Sequence, residues 1–125
     1  MSGKRALLIV DHGSRQPEAN ATVSEIAQWT REMRPDLIVE YAHMEMAEPD
    51  LAQGVGRCVE AGADEIVVHP YLLADGRHCQ ETIPEQIEAL SKQHPDVRFK
   101  ITAPLGPHPK LAEIVLQRID ELGSD

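Results

Sequence analysis

Large rings are almost missing from this chain: one Trp, two Tyr and one Phe in 125 residues. Any core it builds has to be aliphatic. Cysteine is as scarce, with only Cys58 and Cys79. Two cannot make a disulfide scaffold, so a cytoplasmic protein is expected. Long hydrophobic runs are lacking too. Near the start the longest unbroken apolar stretch is Ala6 to Val10, far short of the roughly 20 residues of a membrane span and of a signal-peptide core. Basic residues are outnumbered, 12 Lys plus Arg against 21 Asp plus Glu, for a net charge of −9. That balance argues against nucleic acid or an anionic membrane as the main partner. The length fits one ordinary domain over residues 1–125, which excludes a two-domain enzyme with a cleft between its own halves.

What is present is a strict alternation of strand and helix signals. Arg5 to Asp11 is an apolar run closed by His12-Gly13-Ser14, which reads as a buried strand and a turn. From Pro17 to Arg34, Val23, Ile26, Ala27, Thr30 and Met33 recur at helical spacing, and Pro35 stops the helix. Leu37 to Met44 reads as a second strand. Pro49 suits the first turn of a helix with the stripe Leu51, Ala52, Val55, Cys58 and Val59, ended by Gly62. Glu65 to His69 is the most β-branched stretch. A long connection, Pro70 to Thr82, precedes a helix opened by Pro84 and ended by His94-Pro95. Val97 to Ile101 is the fourth strand, and Leu111, Ile114, Val115, Ile119 and Leu122 give the last helix its apolar stripe. Four such units predict an α/β fold: a small, doubly wound, parallel four-stranded sheet with helices on both faces, in the flavodoxin-like order 2-1-3-4.

Ligands of such sheets bind beyond the carboxyl ends of the strands, where the strand order reverses. His12 and Ser14 follow strand 1, His43 and Glu45 end or follow strand 2, His69 ends strand 3, and His78 and Cys79 lie beyond it. Imidazole with carboxylate suits a divalent transition metal. His12, Glu45 and His78 are spaced 33 residues apart in both steps, about one βαβ unit, so they would project from successive strand ends. His12 and His78 would face each other across the switch point. His43 by itself reads as a bystander, Cys58 as core, and Cys79 lacks a second Cys at metal-site spacing. A histidine phosphatase also opens with a strand and a His-Gly turn, but Asp11 stands where an Arg would grip phosphate.

The segments Leu7 to Arg15 (LLIVDHGSR) and His69 to Gln86 (HPYLLADGRHCQETIPEQ) resemble the two signature segments of the sirohydrochlorin chelatases, or class II chelatases. Met44 to Leu51 (MEMAEPDL) and Ala103 to Leu111 (APLGPHPKL) support the likeness in order and spacing. The resemblance implies ATP-independent insertion of a divalent metal, Co2+, Fe2+ or Ni2+, into sirohydrochlorin, for cobalamin- or siroheme-type biosynthesis. The metal is a substrate, and no organic cofactor is expected. The family's metal-binding histidines fall on His12 and on His78, the latter in the element Gly76-Arg77-His78, and an acidic residue used by some members falls near Glu45. The length resembles the short form, a half-enzyme working as a homodimer with a shared cleft. A tetrapyrrole carrying many carboxylates would be repelled by a charge of −9, so Arg15 and Arg77, beside the two histidines, are expected to bind substrate together with Ser14 and Gly76. A non-catalytic metal carrier or tetrapyrrole-binding module would use the same residues.

Overall fold

The computed structural model describes residues 4–123. Strands β1 (Lys4–Asp11), β2 (Ile38–His43), β3 (Ala63–Pro70) and β4 (Arg98–Ile101) form one parallel sheet in the order β2-β1-β3-β4. Helices α1 (Pro17–Met33), α2 (Leu51–Glu60), α3 (Ile83–Gln93) and α4 (Pro109–Asp120) follow the strands in turn, and a π-helical turn, His78–Thr82, leads directly into α3. The expected strand order and alternation hold. The ends differ by one or two residues, including those of β3, which reaches back to Ala63 and forward to take in Pro70.

Alternation along each strand divides the core into two layers. Ala6, Leu8 and Val10 of β1, with Ile66 and Val68 of β3, meet Val55 and Cys58 of α2 and Ile83 and Ile87 of α3. On the opposite face Ile9 and Val39 pack against Val23 and Ala27 of α1. All of these are aliphatic side chains apart from the buried Cys58, as the shortage of rings requires. Burial pushes the Cys58 thiol up to about 12, with the Glu40 carboxylate adding to the rise, so it fills space and offers no nucleophile. At Gly54 of α2 an added Cβ would lie 2.8 Å from Leu8 Cδ1 and 3.0 Å from Ala42 Cβ. The bare backbone is what lets α2 close on the sheet.

Several expectations need correction. Pro49 is not in the first turn of α2. It precedes the cap residue Asp50, whose carboxylate accepts from Gln53 N at 2.8 Å while the Gln53 side chain accepts from Asp50 N at 2.7 Å. This capping box is what starts the helix. Met33, expected on the buried stripe of α1, is 77% exposed. The stripe of α4 was expected to be buried, yet no residue of α4 is. Ile114, Val115, Leu116 and Ile119 all lie open to solvent. The α1 face keeps a groove of about 300 Å³, lined by Leu7 and Ile9 of β1, Ile26 and Thr30 of α1, and His69 and Thr102.

Candidate metal and substrate site

The switch point lies between β1 and β3, where the chain leaves in opposite directions. Beyond β1, Gly13 takes a φ of +94°, and the ladder to β2 runs on past the strand ends: Met44 N donates to Asp11 O at 3.0 Å and Glu45 N to His12 O at 3.2 Å. A Cβ on Gly13 would sit 1.9 Å from the Glu45 carbonyl oxygen, so only glycine allows this crossing. The following turn is clamped by the Asn20 side chain of α1, which accepts from Ser14 N at 2.9 Å and donates to Ser14 O at 2.7 Å. Asn20 was not anticipated; nothing in its spacing distinguishes it from any polar residue of a first helical turn.

These contacts set the three expected residues side by side. His12 Nε2 is 3.3 Å from Glu45 Oε2. The His12 and His78 rings meet edge to face with centroids 4.8 Å apart. His78 Nδ1 is buried and has no hydrogen-bond partner among the described residues, an arrangement that costs free energy unless a ligand or water completes it. His78 is carried on the first residue of the π turn, where a plain loop was expected. The turn has a local cause. Pro84 has no N–H to give to the carbonyl four residues back, and its ring would press on that carbonyl. The preceding turn widens, and Ile83 N–H donates to His78 O five residues back.

A cavity of about 650 Å³ opens over this rim, with Asp11, His12, Ser14, Gly76, Arg77 and His78 on its wall beside apolar Tyr71 and Leu72. Arg77 is mostly exposed, and its Nε donates to Glu81 at 3.1 Å, leaving its outer nitrogens toward solvent. Arg15 is exposed and off the cavity wall, so the structure does not bring it to the site. Glu45 stands at the rim, half-exposed, and not on the wall itself. Among the described residues no three His, Cys, Asp or Glu side chains converge on one point; the His12 nitrogen is turned onto Glu45. His69 lies on the α1 face, its Nδ1 2.8 Å from Thr102 Oγ1, and burial holds its imidazole below the usual range. Cys79 Sγ lies 3.6 Å from Ala74 O, and burial and the nearby Asp75 raise its thiol. Neither joins the site. His43, read as a bystander, is buried with its Nδ1 2.6 Å from Asp11 Oδ1.

A family model described as CbiX matches residues 6–122. The chain belongs to the CbiX family. This CbiX chain is 42% identical over 113 residues to a protein of Arabidopsis thaliana named sirohydrochlorin ferrochelatase, chloroplastic; the match takes in 90% of this chain and 50% of that one. It is 34% identical to the sirohydrochlorin cobaltochelatase of Methanopyrus kandleri, across 93% of this chain and 95% of the relative. The solved structure of SirB from Bacillus subtilis with Fe3+ superposes with a TM-score of 0.87 at 30% identity, covering 98% of this chain and 48% of that one. The CbiX chain thus spans about half the length of some relatives and nearly the whole of another.

Proposed function

We propose that this chain inserts a divalent metal, cobalt or iron and with nickel as a further candidate, into sirohydrochlorin without ATP or an organic cofactor. One observation carries the reading: at the switch point His12 lies 3.3 Å from Glu45 and its ring meets that of His78 edge to face at 4.8 Å, the two histidines lining a cavity of about 650 Å³. The family membership and the names of the relatives support the same reaction. The metal is a substrate. His12 and His78 hold it and replace part of its water shell, and two imidazoles bind less tightly than a full set of hard anions, so the ion can be released. As the ion enters, the macrocycle gives up two N–H protons and the overall charge balances. An imidazole nitrogen bound to metal has no free lone pair, so the protons leave one at a time through Glu45, which is half-exposed at the rim and hands each on to solvent water. A parallel assay of sirohydrochlorin with cobalt, iron and nickel at catalytic protein concentration tests this. Many turnovers per chain support it. Transfer of one metal per chain would show a carrier instead.

Arg77 binds the polyanionic substrate. Arg77→Ala should raise KM for sirohydrochlorin several-fold with little change in kcat, and about 1 M salt, with a screening length of ~3 Å, should erase the difference. An unchanged KM at low salt removes Arg77 from the site.

The working unit is a homodimer of single domains that closes the cavity from the open side. Leu73, 67% exposed, lines both the main cavity and an apolar groove of about 510 Å³ that runs along Ile114 and Val115 of α4. A symmetric second copy would cover both, burying roughly 1,200–2,000 Å² in all. Light scattering at assay concentration should give twice the 13.9 kDa chain mass. A monomer with full turnover overturns the shared cleft.

A further inference from the structure

His43 is the one charged or polar residue among the described residues that is fully inside, at 1% exposure. It does not reach the cavity wall, and nothing in the insertion chemistry uses it. Its surroundings form a joint. The Nδ1–H donates to Asp11 Oδ1 at 2.6 Å, short for an N–H···O bond and typical of one to a charged acceptor. The ring packs edge-on against Tyr41, and its Cβ lies directly beneath Gly13. Its backbone N–H donates to Pro49 O at 2.8 Å, which closes the base of the loop 44–49 that carries Glu45.

β2 is an edge strand, with a full ladder on one side only. The tip of such a strand frays easily. Only two backbone bonds, Met44 N to Asp11 O and Glu45 N to His12 O, tie this loop to the end of β1, and both lie beyond the last regular pair, Asp11 opposite His43. The buried side-chain bond sits at that last pair, where fraying would begin.

We infer that His43, through Asp11, is a positioning residue that locks the tips of β1 and β2 together and so fixes Glu45 against His12. Its consequence for metal handling rests on the function proposed above, but the joint itself does not. Amide hydrogen exchange on the metal-free protein tests it. In His43→Leu the Glu45 amide should exchange at least about tenfold faster, while the Ile9 amide in the middle of β1 keeps its protection. His43→Asn, whose side-chain N–H can still donate to Asp11, should restore protection at Glu45. Should His43→Leu fail to fold, Asp11→Ala breaks the same bond and carries the same expectation. Equal acceleration at Ile9 and Glu45, or no acceleration at Glu45, overturns the inference. A cobalt titration followed by visible absorption adds the functional readout: affinity about tenfold weaker in His43→Leu and recovered in His43→Asn. A wild-type chain that binds no cobalt would count against the proposed function and leave the exchange result standing.

Discussion

Alanine in place of His12 or His78 should each lower the rate of metal insertion at least about tenfold while leaving thermal unfolding close to wild type. The two rings touch edge to face at 4.8 Å at the mouth of the cavity, and neither belongs to the two apolar clusters that hold the sheet and helices together. Removing either therefore takes away a proposed metal donor without opening a hole in the core. Because both act on one ion, the double variant should be little slower than the worse single one. Initial rates with cobalt, alongside circular dichroism, check this. A near-normal rate in either variant would remove that residue from the mechanism.

Gly13→Ala should be the most damaging single methyl in the chain. The position needs φ near +94°, a region that costs an L residue on the order of 1–3 kcal/mol. The new Cβ would also sit 1.9 Å from the Glu45 carbonyl oxygen and 3.2 Å from His43 Cβ. Relief requires the turn to move away from the loop 44–49, which breaks the Glu45 N to His12 O bond and separates His12 from Glu45. Urea unfolding should show the stability loss, and insertion should fall with it. A variant within about 0.5 kcal/mol of wild type, the ordinary range for surface changes, would mean the crossing is not rigid.

The sheet was legible because each strand is a short apolar run bounded by polar turns and each helix but one buries a stripe. The order 2-1-3-4 is the flavodoxin-like pattern that such an alternation commonly adopts. His12, Glu45 and His78 were legible for the same reason: a polar residue just past a strand end has one place to go. The bond between His43 and Asp11 was not, since it joins residues 32 apart and exists only in one register of β1 against β2. The position of Arg15 off the cavity wall was not legible, because adjacency to His12 in sequence says nothing about which way a turn residue points. The stripe of α4 failed because periodicity reports that a face is apolar, not that this chain supplies the surface it meets.

The widened turn at His78–Thr82 also acts as an angular adjustment. A regular α-helix advances about 100° per residue, so a segment holding one residue more than an α turn, yet continuous with α3, presents its first residue at a different bearing around the helix axis. The core side of α3 is pinned by Ile83, Ile87 and Leu90, and the segment 70–72 is anchored by Leu105 and Gly106 bonds to Pro70 and Leu72. Between those two ends, the turn sets the bearing at which His78 leaves the start of α3. Shortening it by one residue would keep α3 seated and swing the imidazole by about a quarter turn away from His12, so the heading of this side chain is encoded in the Ile83-Pro84 pair behind it rather than in the residues around the cavity.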